Sequence, residues 1–593
     1  MLWIPDDVAR WMKMQLPWFL DEWDSLFWQK VAGFATSFCL SLYFLHRVIR
    51  NKKLHSCIQQ KQEEVRKSCQ DLVERLRTEG LSVPHRERIL SLSLTKLQAQ
   101  LQTGQLKCIE VLRAYQSKAM EMNEKLNCVV EPLMEAEDQA AKLDRQRSKK
   151  GPLHGIPISI KEAYYIKGYD CTAGMSYFID KPMDHDAPLV QVLKSQGAIP
   201  FVRTNIPQTM MTFDSSNPIY GETLNPHDET RSPGGSSSGE GALIGSGGSC
   251  LGMGSDIGGS IRIPSHMCGV CGLKPTVERL GTSGMFPLGG GQTLVKVASG
   301  PMAKDVDSLV MCMKALLVPS LSNAWPLTQV VPFDTEIYES RKQLRIGYFK
   351  TNGVLAPVPA VERGVDMAVA ALKKRGHTVV KFEPPRVMYM FKDLFMKVAF
   401  GDAGEESNAY LDNDVLDPSC RLSYYIFKLP YLVRLPLSLL VQLIDADAAQ
   451  VVRMKSGTVL QWFKLAEDLV AYKLEFLAAM AKQKLDVILS PTMPLPAIPI
   501  GQSSQITAAV TYTTLYNALN FPAGCLPVTK VTADDQKKLQ EAYPANTLYE
   551  KVTLKMSQGT DGLPVSVQCA ARPFQEELVL RVMKDIEQEV KYK

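Results

Sequence analysis

Between Gly234 and Ser260 the chain reads GGSSSGEGALIGSGGSCLGMGSDIGGS, in which eleven of 27 residues are glycine and seven are serine. A stretch with so few side chains cannot build a core by packing. Its backbone must approach something closely or turn left-handed repeatedly. A flexible linker has a similar composition, but Ala242, Leu243, Ile244, Leu251, Met253 and Ile257 interrupt this one with apolar residues. An ordered loop, a short buried helix near 240–248 and a turn near 255–260 are therefore expected. Averaged over the chain the cluster disappears, because 39 glycines in 593 residues is an ordinary share.

Several chemistries that use glycine are excluded by what surrounds it. No Gly-Lys-Ser/Thr follows, so there is no phosphate-binding P-loop. Gly252-Met253-Gly254 is followed by Ile257 where a dinucleotide site needs its third glycine. Gly235 to Gly239 forms a Gly-x-Ser-x-Gly string around Ser237. A nucleophile elbow, however, needs an apolar strand before it, and HDETRSPG is polar. None of the eight histidines offers itself as that serine's partner. The 13 cysteines are thinly spread and odd in number, which fits a reducing compartment rather than a disulfide scaffold. Cys268-Gly-Val-Cys271 has no second pair, so neither a metal nor a cofactor is expected. A net charge of +5 does not by itself indicate a nucleic-acid partner. A mean hydropathy of −0.08 excludes a multi-span membrane protein.

Residues 1–30 are rich in Trp and acid, and Val31–Leu45 carries no charge. Flanking Phe27, Trp28, Val48 and Ile49 extend the apolar run toward the ~20 residues that a spanning helix needs. A transmembrane helix is expected over about 31–49. A signal peptide fits poorly, because its leading region would be long and acidic. Arg47, Arg50, Lys52 and Lys53 follow the apolar run. The positive-inside rule then makes 1–30 lumenal and the body cytosolic. Residues 50–92 read as a polar helical connector. From Leu94 two amphipathic helices follow, broken at Thr103-Gly104. Buried strands are expected at 157–160, 198–202, 344–349, 377–382 and 486–491. Strands alternating with helices give an α/β fold with a mixed or largely parallel sheet. Residues 419–444 are apolar, with Arg421, Lys428 and Arg434 as the only charges and with Pro430 and Pro436 breaking the segment into short helices. A core helix pair has a similar composition. Three cations and two prolines suit a hydrophobic cap on a membrane surface better. Asp445 and Asp447 then bring acid where such a surface favours apolar or basic residues.

The run Asp256-Ile257-Gly258-Gly259-Ser260-Ile261-Arg262-Ile263-Pro264 follows the glycine and serine pairs at 234–237. Gly155-Ile-Pro-Ile-Ser-Ile-Lys161-Glu162 precedes both. These three separated elements, in this order and spacing, resemble the amidase signature family. SNPIYGETLNPHDETRSPGG, CGVCGLKPT, the N-terminal apolar run and the cap make the chain most similar to the family's animal enzymes that act on fatty acid amides. The likeness runs from about residue 57 to the C-terminus.

The resemblance implies an amidase-signature α/β fold over 93–593, with a large twisted mixed sheet flanked by many helices. It implies a membrane-bound serine hydrolase that cleaves acyl ethanolamides and primary fatty amides without a cofactor. Ser260 would be the nucleophile, Ser236 a bridging serine after a cis peptide bond, and Lys161 the base. The amides of Ile257, Gly258, Gly259 and Ser260 would form an oxyanion hole. Met210, Met211 and Phe213 would bind substrate together with Ser236. The physics agrees: a serine hydroxyl needs a base, and burial lowers a lysine pKa until it can serve as one. Ser237, Asp256 and Arg262 are expected to brace the loop. Ser238 stands where the fatty amide enzymes have a further glycine. The resemblance also implies a homodimer with both caps on one lipid bilayer, at the endoplasmic reticulum or a similar endomembrane. Two alternatives stay open: an amidase for smaller amides, or a catalytically weak membrane-associated member.

Overall fold

The computed structural model describes residues 25–146, 148, 151–287, 291–442, 449 and 451–592. Most of the expected lumenal segment, Asp445 and Asp447 lie outside the described residues. The chain divides into two compact units, residues 1–57 and 58–593. Helix α1 (Ser25–Glu79) runs unbroken through the apolar stretch and far into the polar connector. The expected boundary at residue 50 is therefore a change of composition along one helix. Phe34, Phe38, Leu42, Leu45 and Ile49 are exposed along it at three- and four-residue spacing. Among the described residues no single helix is long and apolar enough to cross a membrane, so the transmembrane helix expected over 31–49 is not shown. Helices α2 (Val83–Leu90), α3 (Leu94–Thr103) and α4 (Cys108–Leu126) follow. Gly104 ends α3 in the left-handed region at φ 73°, at the expected break.

The large unit is built on one eleven-stranded sheet. Its strands are β1 (Val129–Pro132), β2 (Pro157–Lys161), β3 (Ile199–Thr204), β4 (Leu251–Asp256), β5 (Cys271–Lys274), β6 (Ala298–Ala303), β7 (Arg345–Tyr348), β8 (Thr378–Lys381), β9 (Val487–Pro491), β10 (Ala523–Lys530) and β11 (Pro564–Ala571). Their order is β1-β3-β2-β4-β6-β5-β10-β11-β9-β7-β8. The sheet is mixed: β2 runs parallel to β3 and β4, β9 and β8 run parallel to β7, and the remaining pairs are antiparallel. Every residue of β2 is buried, as expected for a strand covered on both faces. The five expected strands are all present.

The glycine-rich run contains more regular structure than its composition suggests. Helix α5 (Ser238–Gly245) is the short buried helix. Leu251–Asp256, where no strand was expected, forms β4 in the middle of the sheet, between β2 and β6. Helix α6 (Arg262–Cys268) follows the turn at 257–261. The cap consists of helices α7 (Pro418–Lys428) and α8 (Tyr431–Gln442), bent by 119° at Leu429-Pro430. Pro436 does not break the segment as expected; it lies inside α8. It removes one backbone donor, but the helix is pinned on either side of it. Arg434 Nη1 donates to the Met454 carbonyl (2.7 Å), and Ser438 Oγ accepts from Arg453 Nε (2.7 Å). The outer face carries Leu422, Tyr425, Leu432 (82% exposed), Leu439 and Leu440. A groove of about 520 Å³ along α7 is lined by Arg421, Leu422, Tyr425 and Lys428 among others. The segment is thus an outward-facing pair, not a buried core hairpin. Helices α9 (Val459–Lys482) and α10 (Thr511–Ala518) follow, and Tyr472 and Phe476 of the first join Tyr512 and Tyr516 of the second in one buried apolar cluster.

Candidate active site

Parallel strands β2 and β4 set Ile160 opposite Met253. Lys161, at the end of β2, therefore reaches the end of β4. Its Nζ lies 2.8 Å from Ser236 Oγ and 2.8 Å from Ser255 Oγ. The side chain is wholly buried. Burial pushes the Lys161 pKa down to about 7, against the raising effect of Asp256, Glu240 and Glu162. Glu240 opposes it weakly at neutral pH, because burial lifts its own carboxyl to about 8 despite hydrogen bonds from Ser159 and Thr204. A neutral amine has two N–H donors and one lone pair. Ser255 can accept one N–H while the Ser236 hydroxyl donates into the lone pair.

Ser236 follows the Gly235–Ser236 peptide bond, which is cis. Ser237 N donates to the Ser260 carbonyl (3.1 Å), so the serine turn and the 257–261 loop run side by side. Ser237 Oγ accepts from Ser255 N (3.3 Å), which fastens the turn to β4. This is the supporting role expected of Ser237. Ser238 opens α5, and its Oγ donates to the Asp214 carbonyl (3.4 Å).

The loop is held from below by a buried ion pair. Asp256 accepts from Arg262 Nε and Nη2, both at 3.0 Å, from Gly259 N (2.8 Å), and from Asn517 Nδ2 (2.9 Å). Burial alone would raise the Asp256 pKa; the Arg262 guanidinium overrides it and holds the carboxyl well below the ordinary range. Arg262 also donates to the Thr513 carbonyl (3.0 Å), Gln568 Oε1 (3.0 Å) and Asn517 Oδ1 (2.7 Å). These partners compensate the desolvation that makes a buried ion pair costly. Thr513 Oγ1 donates to the Gly258 carbonyl (2.6 Å). The Gly258–Gly259 peptide is therefore held at both ends. Gly259 has φ 129°, and a Cβ there would sit 2.5 Å from Thr513 Oγ1, so only glycine fits. Of the four expected oxyanion amides, that of Gly259 is committed to Asp256.

The expected substrate residues separate. Phe213 is buried with Ile263, Met267, Met493 and Leu495. Met210 is half-buried against the apolar cluster that contains Met175, Phe286 and Cys420, and Met211 is 44% exposed. The Phe213–Asp214 backbone lies on Gly235, where a Cβ would meet the Asp214 carbonyl oxygen at 2.5 Å. None of the twelve cysteines from Cys57 onward is in a disulfide. Cys268 Sγ donates to the Pro233 carbonyl (3.2 Å). Sequence reasoning missed Ser255, Glu240, Thr513, Asn517 and Gln568. Ser255 had a signal, since it stands immediately before Asp256. Thr513, Asn517 and Gln568 lie some 250–300 residues from the loop and had none.

The amidase family model matches residues 110–580. The chain is 40% identical over 504 residues to fatty-acid amide hydrolase 1 of Sus scrofa, covering 84% of this chain and 86% of that protein. It is 36% identical over 553 residues to fatty acid amide hydrolase 1 of Caenorhabditis elegans, covering 92% and 96%. Its structure matches a solved fatty acid amide hydrolase with a TM-score of 0.77 at 26% identity, over 91% of this chain and 96% of that one. By sequence and by structure this chain belongs to the amidase signature family.

Proposed function

We propose that this protein is a membrane-associated serine hydrolase that cleaves fatty acid amides into free acid and amine through Ser260, Ser236 and Lys161. The observation that carries the reading is Lys161, buried between two serine hydroxyls with a pKa of about 7. Ser260 Oγ attacks the amide carbonyl carbon. Its proton passes through Ser236 to neutral Lys161 Nζ. The amides of Ile257, Gly258 and Ser260 receive the developing oxyanion; Gly259 orients the loop through Asp256 instead. The C–N bond then breaks as Lys161 returns the proton through Ser236 to the departing nitrogen. Water attacks the acyl-serine by the same relay, releasing the acid and restoring Ser260.

The names of the two animal relatives support a fatty amide as substrate. The exposed leucines of the cap, the cations Arg421 and Lys428 beside them, and the apolar stripe of α1 support a lipid surface as the place where substrate is met. In this reading residues 31–49 anchor the chain in an endomembrane. The cations at and just beyond their end, Arg47, Arg50, Lys52 and Lys53, add attraction to anionic headgroups on its cytosolic face. By resemblance, a homodimer with both caps on one bilayer belongs to the same reading.

The test is the kcat/KM ratio for a long-chain primary amide against acetamide with detergent-extracted protein. Each buried methylene contributes about 0.8 kcal/mol, so roughly four of them favour the long chain by about 200-fold. Equal rates would make the protein a small-amide hydrolase.

A further inference from the structure

Residues 208–216 lie in the segment between β3 and the serine turn, and Gln208 at their start is fully buried. Its side-chain amide reaches the segment that leads into cap helix α7. Oε1 accepts from Asp417 N (2.8 Å). Nε2 donates to the Val415 carbonyl (2.8 Å), with Asp414 Oδ2 at 3.5 Å. A backbone N–H only donates and a carbonyl only accepts, so this orientation of the amide is the one that satisfies both. The Gln208 carbonyl in turn accepts from the Cys420 thiol (3.5 Å). At the other end, Ser216 Oγ donates to Asp417 Oδ1 (2.9 Å). That same carboxylate caps α7 through Ser419 N (2.9 Å). The stretch is fastened to the base of the cap at both ends.

Between the two ties the backbone is unusual. Thr209 and Met210 have φ of 62° and 60°, the left-handed region that branched and bulky residues rarely adopt. Thr209 N donates to the Ala173 carbonyl (2.9 Å), which holds the turn. Beyond it come exposed Met211 and then the Phe213–Asp214 backbone, which rests on Gly235 beside Ser236. An unbroken set of contacts runs from α7 to the serine turn, and Gln208 is its buried bridge.

We propose that Gln208 is a positioning residue that fixes the base of the cap and the Met210–Met211 turn as one unit, and so sets the passage of a long acyl chain toward Ser236. The proposal rests on the fatty amide reading above. It makes Gln208 selective in effect: a short soluble substrate does not need the passage, and a long one does.

The test compares the wild type with three variants. Gln208→Glu keeps the acceptor for Asp417 N but faces the Val415 carbonyl and Asp414 with a carboxylate. Gln208→Met removes both polar ends at similar length. Ser216→Ala cuts the second tie and serves if either Gln208 variant fails to fold. KM for a long-chain acyl amide in detergent micelles is expected to rise about tenfold while kcat stays within about twofold, and kcat/KM for a short soluble amide is expected to hold within about twofold. Amide hydrogen exchange, read without substrate, is expected to rise together over 208–216 and 418–428. Unchanged long-chain KM would overturn the proposal. So would equal kcat losses on both substrates, which mark general structural damage. If the wild type shows no preference for long chains, the fatty amide reading fails and exchange alone decides. A joint rise then supports the coupling. A rise in only one segment, or in neither, overturns it.

Discussion

Ser260→Ala is expected to lower kcat for amide hydrolysis by about 10⁴- to 10⁶-fold, because the proposed mechanism forms the acyl intermediate on this hydroxyl alone. The protein should stay folded. The structural tie at this position uses the Ser260 backbone carbonyl, which accepts from Ser237 N, and alanine preserves it. The thermal midpoint and the affinity for a non-hydrolysable long-chain amide should match the wild type. Retained turnover with an unchanged fold would remove Ser260 from the chemistry. Loss of turnover together with loss of fold would leave its role open to a second variant, Ser260→Cys, which keeps a nucleophile at the same place.

Lys161→Ala is expected to lower amide hydrolysis by roughly 10²- to 10⁴-fold, the usual contribution of a positioned base. The sign of the pH effect follows from the depressed pKa. Only neutral Lys161 accepts a proton, and its pKa lies near 7. Wild-type kcat/KM should therefore rise about tenfold per pH unit below 7 and level off above it. The alanine variant has only water or hydroxide to take the proton, so its rate should keep climbing and its optimum should move to higher pH. Ester hydrolysis should suffer less. An amine departs only after its nitrogen gains a proton, whereas an alkoxide leaves more readily without one. Paired amide and ester profiles between pH 6 and 10 check this; equal losses on both substrates would contradict a lysine that also returns the proton.

The parts of the fold with a strong local pattern were legible. Apolar runs such as Pro157–Lys161 and Val487–Pro491 stood out, as did the Thr103-Gly104 break. Strand β4 was not, because Leu-Gly-Met-Gly-Ser-Asp has the propensity of a loop. Burial explains its state: paired on both sides, it leaves room for packed neighbours, such as the Tyr164 hydroxyl donating to the Gly254 carbonyl (2.8 Å). Pro436 was misread because its local penalty was visible while the Arg434 and Ser438 anchors were not. In the site, the motif led to Lys161, Ser236 and Ser260. It did not show that Ser255 shares the lysine, or that Thr513 and Asp256 hold the Gly258–Gly259 peptide from opposite ends. Those roles depend on strand register and on a helix far along the chain.

The central claim is that Ser260 is the acylated residue. Its most direct test is to treat the wild-type enzyme with a fluorophosphonate, digest it and locate the adduct by peptide mass. The account predicts one adduct, on Ser260, that fails to form in Lys161→Ala at neutral pH on the same timescale. An adduct on Ser237, or no adduct on an enzyme that hydrolyses amides, would contradict it.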